Sequence, residues 1–80
     1  HYGTPLNPIY KGAIPGGSTS GGAVSISLDI SDITIGTDTG GSTRIPAAFT
    51  GITGFKPTQD VISRKGVLVL STSLDSIGLM

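Results

Sequence analysis

The sequence predicts an α/β chain organised around one turn, and three observations predict it. Ile33 to Thr37 is a β-branched run that reads as a short strand. It feeds the stretch Gly36-Thr-Asp-Thr-Gly-Gly-Ser-Thr-Arg-Ile-Pro46, where the paired glycines Gly40 and Gly41 permit a tight turn. Beyond it, Ile45 to Thr50 has the marks of a short helix, opened by Pro46 in its first turn and closed by Gly51. Strand, glycine turn, serine and helix in succession hold up one hydroxyl, Ser42, as a candidate nucleophile. Consecutive NH groups of such a turn converge beside it on a point suited to a developing oxyanion. The N-terminus of the following helix is expected to add partial positive charge at the same spot.

The other elements follow in order. His1 to Pro15 holds three prolines and two glycines among tyrosines, the texture of an extended segment lying on a larger body. Gly16-Gly-Ser-Thr-Ser-Gly-Gly22 places three hydroxyls between paired glycines. Such a run is usually a flexible linker, but here Pro15 precedes it and an apolar segment starts at Ala23. Apolar residues at 24, 26, 28 and 30 alternate with polar ones, which is the period of a strand and, with Ile33 to Thr37, of a hairpin turning at Ser31-Asp32. Ile52 to Lys56 reads as a strand stopped by Pro57. Val61 to Leu70 reads as a hairpin or an extended surface loop around Ser63 to Gly66, and Ser71 to Met80 as a weakly apolar tail.

Composition narrows the function classes. The chain has 80 residues, 13 glycines, four aromatic residues and 12% charged residues, half the usual share. Mean hydropathy is +0.25. Low charge with positive hydropathy describes faces meant to be covered, so the chain is expected to be a segment of a larger protein. Five basic residues balance five acidic ones, so net charge recruits neither nucleic acid nor an anionic membrane. Without cysteine, and with one histidine, neither a thiolate nor a histidine-rich metal site is available, and the redox compartment stays open. No cofactor is implied.

A serine needs a base beside it. His1, the only histidine, stands in a proline-containing segment, and Ser42 is not in a Gly-x-Ser-x-Gly elbow, so an internal histidine triad is not expected. Lysine is the other option, and spacing selects none of Lys11, Lys56 and Lys65. A rival chemistry is carried by Asp38-Thr39-Gly40, the tripeptide of aspartic proteases, with Asp38 as one of two paired carboxylates. A phosphate loop at 16 to 22 lacks the Gly-Lys-Ser/Thr ending that a Walker loop requires.

Taken together, the two glycine/serine stretches resemble the amidase signature family of serine hydrolases. Gly-Gly-Ser-Thr-Ser-Gly-Gly-Ala at 16 to 23 is similar to the family's first block and Gly-Thr-Asp-Thr-Gly-Gly-Ser-Thr-Arg-Ile-Pro-Ala at 36 to 47 to its second. The likeness extends through Tyr2-Gly-Thr-Pro-Leu-Asn-Pro8, Gly54-Phe-Lys-Pro-Thr58 and Ser73-Leu-Asp75. It implies a Ser-Ser-Lys triad with Ser42 as nucleophile and Ser18 as the bridging serine on a cis peptide bond. It also implies an oxyanion hole from the NH groups of Thr39, Gly40, Gly41 and Ser42, and structural roles for Asp38 and Arg44. The implied reaction is hydrolysis of a small-molecule carboxylic amide through an acyl-serine, or the same step in a glutamine-dependent amidotransferase. Thr19 and Thr43 depart from the family pattern, which usually has Ser or Gly at the first position and an aliphatic residue at the second. The family places a helix after the first block, so a helix over about Gly22 to Ile30 replaces the strand that alternation suggests. The family's lysine lies upstream of the first block, outside these residues, and Lys56 belongs to a motif carried in addition to it. The implied fold is a mixed sheet flanked by helices, of which residues 1 to 80 supply the catalytic centre piece. The rest of the domain is required for activity, and the isolated chain is expected to be inactive; the alternative reading is an inert truncated product.

Overall fold

A computed structural model describes residues 1–80 and gives the order α1 (Ser20–Ser27), β1 (Ile35–Asp38), α2 (Arg44–Phe49), β2 (Ser76–Leu79). The two strands form an antiparallel ladder in the register Ile35↔Leu79, Gly36↔Gly78, Thr37↔Ile77 and Asp38↔Ser76. One further pair, Thr34 with Met80, exchanges both backbone bonds at 2.8 and 3.0 Å. The two helices pack on each other through small residues. Ala23 of α1 and Ala47 of α2 join Met80 as the buried apolar centre, with Ile52 against them.

The helix α1 forms where the alternating pattern argues for a strand. Its serines explain the conflict. Ser25 Oγ donates back to the Gly22 carbonyl at 2.9 Å within the helix, and Ser27 Oγ donates to the Thr50 carbonyl at 3.0 Å, at the end of α2. Positions that look like the wet face of a strand are thus hydroxyls bonded to helix carbonyls. Tertiary packing then overrides the weak propensity of Gly, Ser, Val and Ile: Ala23 is fully buried, and a Cβ at Gly22 would stand 3.0 Å from Thr34 Oγ1. The helix starts two residues before the expected Gly22 and stops at Ser27 instead of Ile30. Asp29, at φ 55°, ends it: the Asp29 NH bonds the Ile26 carbonyl and the Ile30 NH the Ser25 carbonyl, a Schellman arrangement. Gly51, at φ 71°, closes α2 in the same way, with the Ile52 NH on the Ala47 carbonyl at 3.0 Å. Pro46 sits in the first turn of α2, where a missing NH removes no intrahelical bond.

Two strand expectations change. Ile52 to Lys56 makes no strand, and Phe55 alone bridges Leu79 on the edge opposite β1. Gly54 is pressed against α2, where a Cβ would lie 2.6 Å from the Ala47 Cβ, and Pro57 brings no NH, so the ladder ends at one pair. The segment Val61 to Leu70 is a loop, and the expected tail contains β2. The buried members of β2 are Ser76 and Gly78, with Ile77 and Leu79 half-buried, so its polarity is the reverse of an ordinary half-buried strand.

That reversal has a cause. Thr43, fully buried, lies over the paired glycines of the ladder, and a Cβ at Gly78 would come within 2.7 Å of its Cγ2. Gly36 faces Thr43 Cγ2 at 3.0 Å and Thr19 Cγ2 at 2.8 Å by the same measure. Gly78→Ala is therefore expected to cost about 1–3 kcal/mol. Chemical denaturation of the full-length protein measures it, and a change below half a unit on that scale contradicts the packing. In the lead-in segment, Asn7 is the pin that sequence inspection passes over. Its Nδ2 donates to the Ile14 and Phe49 carbonyls at 3.1 and 2.9 Å, and its Oδ1 accepts from the Ile9 and Tyr10 NH groups at 2.8 and 3.1 Å.

Candidate active site

The glycine turn of the sequence is built around one carboxylate. Asp38, the last residue of β1, is fully buried and accepts six hydrogen bonds. The Gly41 NH reaches Oδ1 at 2.7 Å, while the Thr43 and Arg44 NH groups reach Oδ2 at 3.2 and 3.3 Å. The Thr43 hydroxyl donates to Oδ2 at 2.7 Å, and Arg44 closes a fork with Nε on Oδ2 at 3.0 Å and Nη2 on Oδ1 at 2.9 Å. Burial pushes the Asp38 carboxyl up. The Arg44 side chain, the Thr43 hydroxyl and the Thr43 and Arg44 NH groups outweigh it and hold the carboxyl well below the usual range. Hydrogen bonding and charge from Asp38 raise Arg44 in turn.

This arrangement alters two expectations about the turn. The first NH groups of α2 serve Asp38, so the positive end of that helix is matched by a carboxylate and does not stand free beside Ser42. Gly41, at φ 124°, gives its NH to Asp38 as well, so this one of the four expected oxyanion donors already has an acceptor within the chain. The NH groups of Thr39, Gly40 and Ser42 have no acceptor in the chain. The same geometry corrects the aspartic protease alternative. A carboxylate with no exposure, forked by an arginine, is a structural anion and is withdrawn from any substrate.

The two glycine/serine loops meet. Thr19 NH bonds the Ser42 carbonyl at 3.1 Å, and Ser18 and Ser42 line one open cleft of about 380 Å³ together with Thr39 and Gly40. The Gly17–Ser18 peptide is cis, at the position that the resemblance gives to the bridging serine. Gly16, at φ 76°, brings this loop against α2, where a Cβ would lie 3.0 Å from the Pro46 Cα. The run Gly16 to Gly22 is therefore packed structure and not a linker. The far wall of the cleft comes from the 61–77 region, including Leu68, Leu70 and Ile77, residues that sequence inspection left without a role.

No lysine lines this cleft. Lys11 and Lys65 are exposed, and Lys56 donates to the Leu74 and Thr39 carbonyls at 2.8 and 3.4 Å. His1 is edge-on to the Tyr2 ring and is not among the cleft residues. Asp75, of the Ser73-Leu-Asp75 motif, is a second loop anchor. It accepts from the Thr39 hydroxyl on Oδ1 and from the Leu70 and Ser71 NH groups on Oδ2 at 2.8 and 2.9 Å. The Thr39 hydroxyl, followed by the Ser71 NH, lowers its carboxyl from the ordinary value against the opposing effect of burial. No cluster of three or more His, Cys, Asp or Glu side chains is arranged to hold a metal ion. No helix is long and apolar enough to cross a membrane.

Comparison with known proteins decides the family. The family model described as Amidase matches residues 1–80, the full length of the chain. The chain belongs to the amidase family. This amidase segment is 50% identical over 78 residues to "Outer envelope protein 64, mitochondrial" of Arabidopsis thaliana, covering 98% of the segment and 13% of that protein. It is 46% identical over 78 residues to "Amidase 1" of Oryza sativa subsp. japonica, covering 98% and 18%. It is 53% identical over 77 residues to a glutamyl-tRNA(Gln) amidotransferase subunit of Methanosphaera stadtmanae, covering 96% and 17%. The amidase segment thus spans less than a fifth of the length of these relatives, and its two helices and two-stranded sheet are an α/β piece of an amidase domain.

Proposed function

We propose that residues 1 to 80 are the catalytic centre piece of an enzyme that hydrolyses a carboxylic amide through an acyl-serine. The observation that carries this reading is the meeting of Ser18 and Ser42 in one cleft from two separate glycine loops, beside NH groups that lack an acceptor. Ser42 Oγ adds to the amide carbonyl carbon while its proton passes through the Ser18 hydroxyl to a lysine outside these residues. The carbonyl oxygen becomes an oxyanion and is met by the NH groups of Thr39, Gly40 and Ser42. Collapse of the intermediate breaks the carbon–nitrogen bond, the amine leaves with a proton, and water then releases the acid from Ser42. Asp38 and Arg44 take no part in proton transfer; they hold the turn.

The exposed apolar surface supports a piece of a larger domain. Leu68 is 95% exposed, Leu70 82% and Leu6 81%, against three buried hydrophobic residues, a balance that further protein would correct. The isolated 80-residue chain, lacking the base, is inactive in this reading, and the substrate is a small-molecule amide. The amidotransferase relative favours a second form of the same reaction, in which the leaving amine is ammonia passed to another acceptor. A fluorophosphonate probe on the full-length protein, followed by digestion and mass spectrometry, tests the reading. Label is expected on Ser42, and label on a different serine overturns it.

A further inference from the structure

Lys56 approaches the nucleophile turn from behind. Its Nζ donates to the Leu74 carbonyl at 2.8 Å, reaches the Thr39 carbonyl at a longer 3.4 Å, and stands 3.9 Å from Asp38 Oδ1. The peptide joining Thr39 to Gly40 is trans, so its carbonyl oxygen and its NH point in opposite directions. A Thr39 carbonyl drawn toward Lys56 turns the Gly40 NH away from Lys56. Gly40 lines the cleft and Lys56 does not. On the other flank, the Gly40–Gly41 peptide is fixed through its NH, bonded to Asp38 at 2.7 Å. Gly40 itself has no packing restraint, since a Cβ there would meet nothing within 4 Å. Its orientation rests on these two tethers and on the hold of Asp75 on the Thr39 hydroxyl.

Resting on the amidase reading of Ser42, we infer that Lys56 is a positioning residue for the oxyanion loop: its amine sets the Thr39–Gly40 peptide so that the Gly40 NH is presented to the cleft. Lys56 neither takes the nucleophile's proton nor touches substrate. Its effect is on the transition state, where the oxyanion forms, and little on the bound ground state.

The test uses the full-length protein with Lys56→Met, which keeps an unbranched side chain as far as Cε and removes the donor. The kcat for an aryl amide is expected to fall roughly 10- to 100-fold with KM changed by less than about threefold, as for partial loss of one oxyanion donor. A trifluoromethyl ketone, which forms a tetrahedral adduct on serine, is expected to lose affinity by the same factor. Lys56→Arg, which returns a cation with donors, is expected to recover most of the loss and carries the kinetic test if the methionine variant does not fold. A crystal structure of the substituted protein is expected to show the Thr39–Gly40 peptide turned, a readout independent of activity. Unchanged kcat and inhibitor affinity, or a KM that rises as far as kcat falls, overturns the inference. Wild-type protein that takes no fluorophosphonate label at Ser42 instead refutes the amidase reading, and the peptide orientation in Lys56→Met then decides the structural part alone.

Discussion

Ser42→Ala is expected to lower kcat for amide hydrolysis by roughly 10⁴-fold or more in the full-length protein, the scale on which serine hydrolases lose activity without their nucleophile. The turn holds no substitute. Ser18 shares the cleft, but its assigned part is to pass a proton; of the other hydroxyl residues that line it, Thr37, Thr39 and Ser76, Ser76 donates to backbone carbonyls. The Thr39 hydroxyl is committed to Asp75. Residues that act as a unit are not additive, so the double variant Ser18→Ala, Ser42→Ala is expected to be no slower than Ser42→Ala alone. Steady-state kinetics on an aryl amide measures both. Retention of a tenth of wild-type kcat by Ser42→Ala refutes the acyl-serine mechanism.

Asp38→Asn is the change expected to cost most in stability. The new amide turns an NH₂ group toward donors from Gly41, Thr43 and Arg44, in a fully buried site. Removing one partner of a buried pair costs about 3–5 kcal/mol. The Arg44 side chain is 49% exposed and stays solvated when released, which puts the expected loss at the lower end of that range, about 3 kcal/mol. Equilibrium denaturation of the full-length protein checks it, and a loss of less than about 1 kcal/mol contradicts the assigned role. The sign of the pH dependence follows from the same contacts. The folded carboxyl is held below its ordinary value of 3.8, so the unfolded chain takes up the proton first as pH falls. The stabilisation is complete above that ordinary value and drains away as pH falls beneath it toward the folded-state value. Asp38→Asn is expected to flatten this acid limb of the stability profile.

The glycine turn was more legible in the sequence than the fold that carries it. Ser42 and the helix ending at Gly51 could be read directly because glycine and proline speak through backbone geometry, which no neighbour is needed to interpret. That Ser18 and Ser42 line one cleft could not be read from either loop alone, and was expected only from seeing the two blocks together. Alternation alone hid helix α1, because serines that bond helix carbonyls mimic the polar positions of a strand, and the resemblance to the family supplied it. β2 was hidden for the opposite reason, since a strand that buries Ser76 and Gly78 gives no apolar alternation to find. The bond from the Gly41 NH to Asp38 could not be read either, because it depends on how the turn brings a carboxylate three residues earlier back onto it.

The glycine pair Gly36–Gly78 has a consequence for how such a protein can vary. The residues that follow the two serines, Thr19 and Thr43, both come to rest on this one patch of side-chain-free ladder, so volume is shared among positions 19, 36, 43 and 78. No one of them is free to grow while the others stay as they are. In a combinatorial library at these four positions, functional variants should trade bulk across the ladder: alanine at 78 should survive where alanine replaces Thr43, and be lost beside threonine or serine, whose hydroxyl oxygen is the atom nearest a Cβ at 78. The patch acts as a gauge block that sets the height of both serine loops, and re-engineering the cleft would begin by resetting it.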